Sequence, residues 1–268
     1  MKFGPVSPKE AIGGVAVHAI RQSSFTLKKG TLITPIEAEA LEQAGIKQIV
    51  VARLEDGDVS EDAAAAGIAR MIAGEGIQVE KAFTGRCNLF AAHPGILVID
   101  RDAVDELNRV DESITFATLP AFKAVAEGEM IATVKLIPFG IEQAVYDKAA
   151  DAAKQRQIKI MPFSVKRVGV VSTMLPGLAP KVIDKTVQVT KERLARAGAS
   201  IIAERRVQHS EPALKAAVEE LLGLGSELVL IFGASAIADR RDIIPSAVEK
   251  AGGKVEHFGM PVDPGNLL

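Results

Sequence analysis

Short apolar runs rich in β-branched residues alternate, over most of the chain, with stretches whose apolar positions recur at helical spacing. That alternation predicts an α/β fold with largely parallel strands. The pattern is most regular in the last third. Residues 166–172 (KRVGVVS) read as a buried strand. Residues 181–197 carry helical periodicity that stops at Gly198, and residues 199–205 read as the next strand. Ser210 stands where it would cap a helix over residues 211–222, Gly223 and Gly225 end that helix, and residues 227–232 form a third apolar run. Together these make βαβαβ, the unit of a doubly wound sheet.

The preceding region is less regular. Residues 14–20 and 47–53 read as strands flanking a helix that begins near Thr34 with Pro35 in its first turn. Residues 60–73 predict an alanine-rich helix, 77–83, 96–100 and 130–139 further strands, and 141–157 another helix. Residues 84–95 (TGRCNLFAAHPG), with Arg86, Cys87 and His93, read as a long loop. Lys135 lies in an apolar run, within reach of a phosphate or at the edge of a sheet. The segment Met161, Pro162, Phe163, Ser164 marks the expected boundary between a smaller mixed α/β region, residues 1–163, and a second domain, residues 164–268.

Composition narrows the function classes. With 48% hydrophobic residues and about one quarter charged, the chain has the make-up of a soluble protein with a substantial core. A net charge of -2 gives no basic excess for nucleic acid, and no apolar run approaches the ~20 residues of a membrane span. The single cysteine, Cys87, excludes an internal disulfide and agrees with a reducing cytoplasm; as a lone thiol it reads as a small core residue. His18, His93, His209 and His257 are scattered without metal-ligand spacing and read as structural or surface residues.

Open α/β sheets bind ligands beyond the carboxyl ends of their strands, which directs attention to two loops. The first, residues 172–186 (STMLPGLAPKVIDKT), has Pro176, Gly177 and Pro180 and exceeds the usual connection of about two to six residues. Lys181, Asp184, Lys185 and Thr186 follow at its helix start, as ligand contacts or as solvated charges. In the second, residues 232–242 (FGASAIADRRD), Gly233, Ala234 and Ser235 let a ligand approach the backbone closely before a helix N-terminus. Asp239 and Asp242 share that turn. They would repel a bare phosphate unless a divalent cation lies between, or they serve as helix caps.

From Lys166 onward the chain resembles the molybdopterin-binding domain shared by molybdopterin adenylyltransferases and molybdopterin molybdenumtransferases. The resemblance is carried by KRVGVVST, VIDKTVQVTKERLARAGA, LVLIFGASAIADRRD and HFGMPVDPGN; the N-terminal segment GGVAVHAIRQSSFTLKKGTLITPIEAEALEQAGIKQIVVARL is also similar to the molybdenumtransferase type. The resemblance implies a three-layer α/β/α sandwich for residues 164–268 and binding of molybdopterin or adenylyl-molybdopterin with Mg²⁺. It makes Asp242 the catalytic and metal-binding acid, with Asp239 beside it. Gly233, Ala234 and Ser235 would hold the terminal phosphate and dithiolene end of the pterin, Thr173, Pro176, Gly177, Asp184 and Thr186 the opposite wall, and Pro264 and Gly265 a later loop.

The chain departs from that pattern at several points. Phe232-Gly233 stands for Gly-Gly, His209-Ser210 for Asp-Asp, and Asp184-Lys185-Thr186 for Asp-Ser-Asn. It also ends before the family's last phosphate loop, which reads as the front part of a longer protein. Three functions stay open: a transferase inserting molybdate, a module that binds molybdopterin and delivers it to a fused or separate nucleotidyltransferase, and a nucleotide pyrophosphatase. The resemblance further implies a homo-oligomer, and the cysteine usage a cytoplasmic one.

Overall fold

The computed structural model describes residues 1–22, 25–155, 157–177 and 179–259 and is mixed α/β. It divides into two compact units, Met1–Pro162 and Phe163–Leu268, so the leading unit is the longer, contrary to expectation.

The first unit opens with β1 (Lys2–Val6), β2 (Val15–Ala16), β3 (Ile20–Arg21), β4 (Thr26–Leu27), α1 (Pro35–Gln43) and β5 (Ile49–Arg53). Antiparallel β1 and β2 flank β5. Thr34 starts α1 through a capping box: its hydroxyl accepts the Ile36 N–H at 3.2 Å and the Glu37 carboxylate accepts the Thr34 N–H at 3.0 Å. Leu27, Ile33, Leu41 and Val51 fill a small core beneath these elements.

The unit continues with β6 (Asp58–Ser60), α2 (Glu61–Ile72), β7 (Ile77–Val79), β8 (Arg86–Ala91), β9 (Gly95–Val98), α3 (Arg101–Asn108), β10 (Ile114–Thr118), β11 (Ala124–Val125), β12 (Met130–Leu136), β13 (Gly140–Glu142), α4 (Gln143–Gln155) and β14 (Lys159–Pro162). Its main sheet, in the order β10-β12-β8-β7, is antiparallel throughout. The expectation of largely parallel strands therefore fails here: residues 80–85 join β7 to β8 and residues 119–129 join β10 to β12, connections without the helical crossover that parallel neighbours use.

Two local readings are corrected with it. Residues 84–95 are a hairpin arm: Thr84 and Gly85, at φ 47° and 71°, make the tip while Phe83 and Arg86 exchange backbone hydrogen bonds at 2.9 and 3.0 Å. Cys87, Leu89 and Ala91 then alternate into the core, and Cys87 is fully buried. Lys135 lies on β12, which is paired on both sides, so it is not at a sheet edge.

The second unit contains β15 (Arg167–Met174), α5 (Pro180–Arg196), β16 (Ser200–Gln208), α6 (Glu211–Gly223), β17 (Leu228–Phe232) and α7 (Ile243–Lys250). Its three strands are parallel in the order β16-β15-β17. Val168 and Val170 pack with Val187 and Leu194 of α5, whereas Val171 packs with Leu214 and Leu221 of α6 and Ala247 of α7. Burial of each such valine contributes about 1.5–3 kcal/mol, which explains the apolar stretch at the centre of this strand. Ser210 occupies the N-cap position of α6, but its hydroxyl makes no cap bond. Glu211 instead ties α6 to α7, accepting from Ser246 Oγ at 2.6 Å and Lys250 Nζ at 2.7 Å. Among the described residues, no helix is long and apolar enough to cross a membrane.

Candidate functional site

Because β15, β16 and β17 run parallel, their carboxyl ends lie side by side and place Thr173, His209 and the turn 233–235 together. Thr173 is 1% exposed, and its hydroxyl joins all three segments. Its Oγ1 accepts the Ala234 N–H at 2.8 Å, lies 2.9 Å from His209 Nδ1 and donates toward the Phe232 carbonyl at 3.4 Å. His209 Nε2 is in turn 3.1 Å from Ser235 Oγ. When Thr173 donates to Phe232, Nδ1 carries the ring proton and Nε2 accepts from Ser235; when Thr173 donates to Nδ1, Nε2 donates to Ser235. Both tautomers pin the turn to β15 and leave Ser235 as its exposed polar group.

A cleft of about 720 Å³ opens beside this turn, lined by Thr186 of α5, Phe232, Gly233, Ala234, Ser235 and Ile244, and it continues along β17 through Leu230 and Val229. Gly233 is required there, since a Cβ would lie 2.8 Å from Ile244 Cδ1 and 2.9 Å from the Ser235 carbonyl. Thr186 turns its hydroxyl back onto the Val182 carbonyl at 3.0 Å.

The two acids face different donors. Asp242 is the N-cap of α7 and accepts the Ile243 N–H at 2.7 Å and the Ala238 N–H at 3.0 Å. These N–H groups, Ala238 first, hold its carboxyl below the ordinary aspartate range, with a smaller contribution from the nearby His209. Asp239 is closed onto Arg241 at 2.7 Å, and that guanidinium lowers its carboxyl as well. Asp184 pairs with Arg206 at 2.7 Å. Pro176 and Gly177 form an exposed turn after β15, with Gly177 at φ 90°.

The structure thus gathers Thr186, Gly233, Ala234 and Ser235 around one cleft, with Thr173 behind them as the anchor. Asp184, Asp239, Asp242, Pro176 and Gly177 lie outside its lining. Pro264 and Gly265 lie outside the described residues. His209, read from sequence as structural or surface, ties Thr173 to Ser235 of the turn, a contact that its place immediately after a parallel strand allows. Among the described residues, no three His, Cys, Asp or Glu side chains gather as metal ligands.

Comparison with protein families finds a match in the first unit. No curated protein matches the chain. Residues 5–53 match the model of a family described as "Domain of unknown function (DUF8806)", and that stretch contains the whole small core around Leu27, Leu41 and Val51.

Proposed function

We propose that the second unit is a three-layer α/β/α sandwich that binds molybdopterin or adenylyl-molybdopterin beyond the carboxyl ends of β15 and β17. The observation that carries this reading is the turn 233–235, held by Thr173 and facing Thr186 across a cleft of about 720 Å³. Its small residues and backbone suit a phosphate, and Phe232, Leu230 and Ile244 suit a planar ring system. Packing of α5 against one face of the sheet and α6 with α7 against the other supports the layered architecture.

In the catalytic form of this proposal, the unit inserts molybdate, with Asp242 as the essential carboxylate. Bound Mg²⁺ would neutralise phosphate charge. Asp242 has the chemistry to contribute one ligand: its carboxyl ionises readily, and each oxygen keeps a lone pair beyond its backbone bond. A second form is a module that binds the pterin and passes it to a fused or separate nucleotidyltransferase. The Asp239–Arg241 pair favours it, because it leaves one carboxylate where two were expected.

Two measurements test these readings. Mass spectrometry of the purified chain is expected to find a phosphorylated pterin; its absence after loading with molybdopterin would overturn the binding proposal. In a reconstituted assay, Asp242→Ala is expected to abolish molybdate insertion while circular dichroism stays unchanged, with Asp242→Asn retaining part of the helix cap as a folding control. A rate unaffected by both substitutions removes Asp242 from the reaction, and binding without turnover by the unsubstituted chain selects the delivery module.

A further inference from the structure

The first unit holds a separate cleft of about 680 Å³ whose lining includes Lys29, Arg86, Lys135, Glu61, Thr84 and Phe139. Three cations face one carboxylate there, a net charge of +2 in a protein whose overall charge is -2. Arg86 and Lys135 are direct cross-strand partners in the β8–β12 ladder, a placement of like charges that destabilises a sheet. Among the described residues, Lys29, Arg86 and Lys135 form no ion pair or side-chain hydrogen bond. Arg205 and Arg206, by contrast, are paired with carboxylates. Lys29 Nζ lies 5.7 Å from the Phe139 ring centroid.

The platform beneath these charges is firm. Arg86 starts β8 immediately after the Thr84–Gly85 turn, and Asp62 accepts the Gly85 N–H at 2.8 Å. Thr84 holds a left-handed backbone conformation that β-branched residues seldom adopt. The other wall is apolar: Phe83 is 50% and Ile137 66% exposed. Burial, then the neighbouring Asp62, push the Glu61 carboxyl above its ordinary range, against an opposing pull from Lys29.

The geometry points to a binding site for a small aromatic or heterocyclic phosphate monoester, its phosphate held by Arg86, Lys135 and Lys29 and its ring against Phe83 and Phe139. A guanidinium matches two phosphate oxygens at once, and the two lysines add point charge. The assignment does not depend on the reading of the second unit.

Isothermal titration of the full chain with phenyl phosphate, inorganic phosphate and phenol at low ionic strength tests it. Phenyl phosphate is expected to bind more tightly than either fragment. Arg86→Met and Lys135→Met keep the aliphatic stems, and each is expected to weaken phenyl phosphate about tenfold while leaving the thermal midpoint unchanged or higher, since each relieves like-charge repulsion. Should either variant fold poorly, Glu61→Gln supplies an independent arm: it raises the cleft charge from +2 to +3 and is expected to tighten binding. Phenyl phosphate no tighter than phenol overturns the proposal. So does an affinity within about twofold of the unsubstituted chain in all folded variants, because the probe then binds elsewhere.

Discussion

Thr173 carries more of the second unit's organisation than its size suggests, because one buried hydroxyl meets the Ala234 N–H, the His209 ring and the Phe232 carbonyl. Thr173→Val keeps the shape and removes those bonds, leaving a part-buried N–H and a ring nitrogen unsatisfied. It is expected to lower stability by about 1–3 kcal/mol in urea unfolding, with Thr173→Ser restoring much of the loss. A midpoint equal to the unsubstituted protein's would show that the hydroxyl does not hold the turn. The small residues 233–235 and the acid at Asp242 were legible in the sequence, since a tight turn and a helix cap are made by neighbours along the chain. His209 was not, because it stands 36 residues from Thr173 and 26 from Ser235, and only the pairing of β15 with its neighbours brings them into contact.

Helix α2 shows the same division between local signal and packing. Its alanine-rich run announces a helix, and Gly67 within it would ordinarily weaken that helix by roughly 0.5–1 kcal/mol relative to alanine. Here a Cβ at Gly67 would come within 2.9 Å of the Tyr146 ring carbons, on α4. Gly67→Ala is therefore expected to destabilise by about 1–3 kcal/mol, and in a Tyr146→Leu background the sign should reverse toward the ordinary helical gain. Thermal unfolding checks this: a raised midpoint for Gly67→Ala alone would remove Tyr146 as the reason for the glycine. The start of α1 near Thr34 was readable in the same way as α2. Strand β8 was not, because polar Arg86 and Asn88 alternate with core residues and reveal a strand only once one face is known to be buried.

The charges of the protein set its response to acid. In the second unit Lys250 and Ser246 lower the carboxyl of Glu211, Arg205 that of Glu220, and the Lys166 and Arg167 N–H groups that of Glu227, while Asp242 is lowered by its cap bonds. Carboxyls depressed by folding contribute stability that is present above their unfolded values and lost as pH falls through the folded ones. Glu61 has the opposite sign: raised by burial, it contributes less as pH climbs through its folded value. These four and Asp239 outnumber it, so the urea midpoint is expected to fall from about pH 6 to about pH 3; a midpoint rising toward acid would contradict these pairings. The parallel βαβαβ order and most helices of the second unit follow from residue spacing along the chain, because capping, helical periodicity and an unbroken apolar strand are local properties. Which strands pair in the first unit, where Arg86 and Lys135 become neighbours, and how Thr173, His209 and Ser235 meet were settled by folding, because register and long-range contact depend on which surfaces bury one another.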